Sequence, residues 1–205
     1  MFDKRNLPGP WLHSYQGQLI DPQVTVTTPG QFGNGFFVSE WRDAVVTSAH
    51  VVQGANKVRV RARADGVEVW FDARTTAWEE GRDLAVVRLP ARVKGFSKRL
   101  VVASPSPGGL TTTSLNGYGS LDAWRKGWLT REKPVRGNAD GWWIEYLDGS
   151  SGGHGFSGSP VFDAQTGLVV GVHRGSPGGI SNRASRVDMN IINALRNFTY
   201  ADENL

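Results

Sequence analysis

Three short segments hold side chains that could carry out nucleophilic chemistry together. In Thr47-Ser48-Ala49-His50-Val51-Val52 an imidazole follows the apolar run Ala44-Val45-Val46. Small residues ahead of it let the backbone pack closely, so the pattern predicts His50 at a strand end facing a cleft. In Gly81-Arg82-Asp83-Leu84-Ala85-Val86-Val87 a carboxylate heads a second apolar run. A partly buried acid can accept a hydrogen bond from an imidazole Nδ1–H and stabilise the imidazolium formed when the ring takes a proton. Taken alone, an aspartate before a strand reads equally as a turn residue. In Gly155-Phe156-Ser157-Gly158-Ser159-Pro160 a serine has glycine on both sides. Glycine permits a tight turn that exposes Oγ and aims the N–H groups of Gly155 and Ser157 at one point, where a carbonyl oxygen would become an oxyanion.

The 205-residue chain has no cysteine, so a covalent nucleophile must be a hydroxyl. Ser151 and Ser159 lack the Gly-x-Ser-Gly setting of Ser157. Four histidines without a close-spaced ligand pair give no basis for a metal centre, and no cofactor is expected.

The elements that must position these residues are short and β-branched. Runs at Gln23–Thr28, Gly35–Ser39, Ala44–Ser48, Lys57–Arg63, Val67–Thr75, Leu84–Leu89, Leu100–Ala103, Trp142–Leu147, Pro160–Phe162 and Leu168–Arg174 are separated by turn residues. Many short strands at this spacing predict an all-β barrel or sandwich. Asp65-Gly66 sits between two alternating runs and reads as a hairpin turn. Pro105 to Gly109, with two prolines and two glycines, reads as a connection between two halves. After Asp188, a suitable N-cap, Ile191, Ile192, Leu195 and Phe198 gather on one helical face.

The order His, Asp, Ser in an all-β chain is that of chymotrypsin and differs from subtilisin and the α/β-hydrolases. Through TSAHVV, DLAVV and GFSGSP, and from about Gly33 to Phe198, the sequence resembles the chymotrypsin-like (trypsin-like) serine peptidases. The resemblance implies a double antiparallel β-barrel with a C-terminal α-helix. It places an N-terminal barrel at about 20–104, a C-terminal barrel at about 110–187 and the helix at about 188–198. It also implies roles: Ser157 as nucleophile, His50 as general base and then acid, Asp83 as the orienting acid, and the Gly155 and Ser157 amides as oxyanion hole. The digestive enzymes carry an aspartate before the nucleophile that pairs with a freed N-terminus, whereas Phe156 here can form no such pair. The GxSGSP form without cysteines looks like bacterial branches, including glutamyl endopeptidases and defence-associated trypsin-like domains.

Ser151 falls where trypsin carries its specificity aspartate, so nothing there attracts lysine or arginine. Val172-His173-Arg174-Gly175-Ser176 resembles the wall strand of the specificity pocket, and His173 matches a histidine of glutamyl endopeptidases. A histidine, the hydroxyls of Ser151 and Ser176 and a cation from Arg174 or Arg183 could hold a carboxylate, which makes cleavage after Glu or Asp an expectation. The same histidine also reads as a hydrogen-bonded wall residue. His154 falls where family members touch substrate beside the scissile bond.

The expected partner is a protein or peptide substrate, with a regulatory partner protein kept in view. The formal net charge of +4 and the cluster Arg59, Arg61, Arg63 raise the question of a polyanion. These arginines alternate with Val58, Val60 and Ala62, as on the solvated face of a strand, and no stacking platform accompanies them. No nucleic acid is therefore expected. No run is long enough to span a bilayer, and the first residues show no export signal, so a cytoplasmic protein is expected; a mature secreted form with an added Met reads the same way. The reading from a different class is a catalytically silent barrel that binds a peptide or an effector.

Overall fold

The computed structural model describes residues 12–13, 15–105, 107–148, 154–174 and 183–201. In chain order they form β1 (Leu12–His13), β2 (Leu19–Ile20), β3 (Gln23–Thr28), β4 (Gln31–Phe37), β5 (Ala44–Thr47), α1 (Ala49–Val52), β6 (Arg59–Ala64), β7 (Val67–Asp72), β8 (Thr75–Glu79), β9 (Leu84–Arg88) and β10 (Gly95–Phe96). There follow β11 (Gly109–Gly117), α2 (Leu121–Arg125), β12 (Thr130–Arg131), β13 (Val135–Asp140), β14 (Trp143–Tyr146), β15 (Pro160–Asp163), β16 (Val169–His173), β17 (Arg183–Arg186) and α3 (Met189–Ala201).

The first sheet runs β1-β7-β6-β3-β4-β5-β9-β8, with β2 beside β6 and β10 beside β2. Its middle strands are apolar on both faces because each face has its own core. On β4, β5 and β9, Phe37, Val45, Ala85 and Val87 join Val24, Val26, Val60 and Phe71 in a first core. The alternate residues Phe36, Val46, Leu84 and Val86 face a second core, shared with Val169 and Val172 of β16 and with Ile192 and Leu195 of α3. The period of two along a strand thus sends successive side chains to different compartments. Full burial of each such side chain is worth about 1.5–3 kcal/mol. Since Phe71 on β7 and Val87 on β9 share the first core, the sheet curls onto itself.

In the second sheet β11-β13-β14-β17-β16-β15 closes through pairing of β15 with β11, making a six-stranded barrel, and β12 extends β11. Leu115, Ile144, Val161, Val170 and Ala184 fill it. α3 is capped by Asp188, whose Oδ1 accepts the Ile191 N–H at 2.9 Å. This is the all-β, two-sheet fold with a C-terminal helix that the resemblance implies. None of its helices is long and apolar enough to cross a membrane, among the described residues.

The hairpin β6–β7 turns at Asp65 and Gly66, whose φ values of 49° and 79° are those of a tight primed turn. The single run Val67–Thr75 is in fact two strands: the chain breaks at Ala73-Arg74 and β8 pairs with β9. The row of arginines on β6 is engaged within the protein. Arg59 makes two bonds to Asp72 at 2.8 and 3.2 Å and lies 3.7 Å from the centre of the Trp70 ring. Arg61 donates to Thr27 Oγ1 at 2.7 Å. Arg63 packs 3.8 Å from the Trp124 ring and donates to the Trp124 carbonyl. The Trp124 Nε1–H in turn reaches Glu68 Oε1 at 2.6 Å. α2, from the second half of the chain, is thereby clamped against β6 and β7 of the first.

Candidate active site

The histidine is delivered by the end of β5. Ser48 leads into α1, and the first two amides of that short helix are held by one residue: Ala49 N–H donates to the Asp83 carbonyl at 3.1 Å and His50 N–H to Asp83 Oδ1 at 2.9 Å. Asp83 closes the 3-10 turn Glu80–Arg82 in the left-handed region, at φ 52° and ψ 41°. For a residue with a Cβ this conformation is uncommon, though aspartate tolerates it better than most. It turns the buried carboxylate back toward α1 while Leu84 enters the core. Both backbone and side chain of Asp83 therefore fix where His50 stands.

The nucleophile loop is set by two glycines with positive φ, Gly155 at 90° and Gly158 at 86°. A Cβ at Gly158 would overlap the Asn34 carbonyl oxygen, and one at Gly155 the Gly119 carbonyl oxygen. Phe156 between them is buried in the barrel core against Gly117 and Gly119, so the position that bears an aspartate in the digestive enzymes here anchors the loop by packing. Gly158 N–H donates to the His173 carbonyl at 2.9 Å, and Ser48 Oγ–H donates to the same carbonyl at 3.0 Å. Through that oxygen the serine loop and the histidine's helix share one anchor on β16.

The result brings to the histidine two residues that lie 33 and 107 positions further along the chain. Nδ1 of His50 lies 2.8 Å from Asp83 Oδ2, and Nε2 lies 2.9 Å from Ser157 Oγ. With Nδ1 carrying the ring hydrogen, Nε2 accepts from the serine hydroxyl. The Gly155 and Ser157 amides donate to no acceptor among the described residues.

Asn34 was not visible as a site residue in the sequence. On β4 and 2% exposed, it donates from Nδ2 to the Gly155 carbonyl at 2.8 Å and to the Tyr118 carbonyl at 2.9 Å. Its Oδ1 accepts the Tyr118 N–H at 2.8 Å, and its own N–H donates to the Ser157 carbonyl at 2.7 Å. One side chain of the first sheet thus holds the serine loop of the second. The only trace in the sequence is an amide between two glycines in Gly33-Asn34-Gly35, where the missing Cβ atoms make room for Val51, Val45 and the Ser157 carbonyl.

Of the residues expected around the specificity pocket, Ser151 and Ser176 lie outside the described residues. His154 is exposed on the turn before Gly155. His173 is completely buried, stacked on Tyr146 with ring centres 5.8 Å apart and Nδ1 3.0 Å from the Tyr146 hydroxyl. Its Nε2 has no hydrogen-bond partner among the described residues. Burial first, and the neighbouring His50 second, push its pKa down to about 4, so it is neutral at physiological pH. Arg174 lies over the Trp143 ring, its Cζ 4.9 Å from the centre, and Arg183 packs 4.3 Å from the same ring. Among the described residues no cluster of three or more side chains could hold a metal ion.

The fold occurs in solved structures of low sequence identity. A human pathogenic astrovirus serine protease is 21% identical, with 89% of this chain and 98% of that one covered and a TM-score of 0.60. A Glu endopeptidase is 15% identical over 92% of this chain and 95% of its own, at a TM-score of 0.66. The inactive form of the Rv3671c protease is 21% identical over 87% and 88%, at 0.58. A search of curated protein sequences returned no match. At the level of sequence, residues 33–172 match the trypsin-like peptidase domain, a span that contains His50, Asp83 and Ser157; the chain belongs to that family and is a serine protease.

Proposed function

We propose that the protein is an endopeptidase that cuts through an acyl-enzyme on Ser157, with a preference for bonds after Glu or Asp. The observation that carries the chemistry is His50 standing between Ser157 and Asp83, at 2.9 and 2.8 Å. In the reaction Ser157 Oγ attacks the scissile carbonyl and its proton passes to His50 Nε2. Asp83 holds the resulting imidazolium, the Gly155 and Ser157 amides receive the oxyanion, and His50 returns the proton to the leaving amine. Water then repeats the sequence on the ester.

The acidic preference is supported by His173. In the tautomer in which the Tyr146 hydroxyl donates to Nδ1, the ring hydrogen sits on Nε2, which has no partner among the described residues and is a donor that a carboxylate can use. The cations of Arg174 and Arg183 on Trp143 add favourable charge nearby. The similar fold of a Glu endopeptidase points the same way.

The test is labelling by an alkyl fluorophosphonate, read by intact mass, of the parent and of Ser157→Ala. Adduct on the parent alone is expected, followed by a peptide-library screen in which cleavage after Glu and Asp exceeds cleavage after Gln and Asn at least tenfold. Failure of the parent to label overturns the catalytic reading in favour of a peptide-binding barrel. Labelling with indifferent cleavage overturns the preference alone.

A further inference from the structure

Asp83 faces a second cation. Nε of Arg174, the residue after His173, lies 3.8 Å from Asp83 Oδ2, the same oxygen that faces His50 Nδ1 at 2.8 Å. Oδ1 is taken by the His50 amide. At 3.8 Å the guanidinium makes no hydrogen bond to the carboxylate, so it acts on it through charge. Its seat is built: the side chain is flanked by Trp143, and its backbone N–H donates to the Arg183 carbonyl at 3.4 Å. Asp83, with its side chain only 8% exposed, feels that charge with little screening, although the arginine itself is 37% exposed.

We propose that Arg174 is a positioning residue of the triad, whose fixed cation shares Asp83 with His50 and so restrains the strength of the general base. When Ser157 gives its proton to His50 Nε2, the new imidazolium must share one carboxylate with a guanidinium already beside it. Without that guanidinium, Asp83 serves the imidazolium alone. The remaining charged or titratable groups around the pair do not take this part. His173 is neutral, Arg82 is held by Glu79 at 3.1 Å and stacked on Trp142, and Arg183 packs on the Trp143 ring.

The proposal rests on the triad reading, and its test separates the two. The second-order rate of inactivation by a neutral alkyl fluorophosphonate is measured from pH 4.5 to 9 for the full chain, Arg174→Gln, Arg174→Met and Arg174→Lys. Methionine keeps an apolar stem against Trp143 should glutamine fail to fold. The acidic limb of the rate profile is expected to move to higher pH by at least about half a unit, a threefold change in proton affinity, in the two neutral variants. Their alkaline plateau is expected to rise about twofold or more, while Arg174→Lys follows the parent. A merely structural role lowers the plateau without moving the limb, and a limb coincident with the parent's in either folded neutral variant overturns the proposal. No labelling of the parent at any pH overturns the triad reading and this inference with it.

Discussion

Replacing Asn34 by alanine should damage catalysis more than binding, although residue 34 lies on a strand of the first sheet. The side chain makes three hydrogen bonds, to the carbonyls of Gly155 and Tyr118 and from the Tyr118 N–H. Alanine leaves those backbone groups without partners beside a void. A buried group so abandoned costs about 1–3 kcal/mol, and a water entering the polar space recovers part of it, so the net loss of stability is about 3–5 kcal/mol. For a chain of this size that corresponds to a fall in Tm of roughly 10 °C.

The catalytic effect comes through the peptide between Gly155 and Phe156, whose carbonyl loses its anchor. Complete removal of an oxyanion donor costs about 2.7–4 kcal/mol. A loop that still holds its backbone bond from Asn34 N–H to the Ser157 carbonyl is mis-aimed rather than emptied. A 10- to 100-fold fall in kcat, about 1.4–2.7 kcal/mol, is therefore expected with KM within twofold. Asn34→Asp is the sharper companion, since it retains an acceptor for Tyr118 N–H but turns a carboxylate toward two carbonyls; it should be worse than alanine in both respects. The assays are scanning calorimetry and peptide hydrolysis normalised by active-site titration. A folded Asn34→Ala with kcat within twofold of the parent, or with Tm within 2 °C, would show that the serine loop needs no support from the first sheet.

Gly158→Ala forces a methyl group onto the Asn34 carbonyl oxygen in a left-handed backbone, and soluble expression or fluorophosphonate labelling should be lost; retention of both would mean the loop has another conformation. Asp83→Asn keeps a side chain that tolerates φ 52° and should leave Tm near the parent's, yet lower kcat by about 10⁴-fold because the amide N–H favours the wrong imidazole tautomer; a fall under tenfold contradicts the assigned role. His173, with a pKa near 4 in the fold against an ordinary 6.5, stays neutral where the unfolded chain takes up a proton, so its contribution to stability is intact above pH 6.5 and is lost as pH falls toward 4. The loss is on the order of 3 kcal/mol. Calorimetry between pH 4 and 7 should show a steeper decline for the parent than for His173→Gln, and parallel curves would count against a buried neutral imidazole.

The parts of this protein that are readable in its sequence are those set by local rules. β5 and β9 are continuous apolar runs because each of their faces meets a different core, and their site-bearing ends are marked by the change to Thr47-Ser48 after β5 and to Arg82-Asp83 before β9. The serine loop is marked by its own glycines, whose positive φ cannot be supplied from elsewhere. β11 (GLTTTSLNG) and β13 (VRGNAD) escape the same reading, since threonine, asparagine and glycine carry no period and their extended conformation is imposed by the ladders on either side. β17, with the sequence RASR, is a strand for the same reason, lying between β14 and β16. Asn34 and Arg174 are hidden more deeply. Each acts on a residue 84 or more positions away, Asn34 on Tyr118 and Gly155 and Arg174 on Asp83, so no window of sequence contains both members of the contact. Local pattern therefore shows which residues have the chemistry. Bonds within the first sheet hold His50 at 2.8 Å from Asp83, whereas the 2.9 Å approach of Ser157 and the cation beside Asp83 depend on contacts between the two sheets, and the variants of Asn34 and Arg174 address that part of the site.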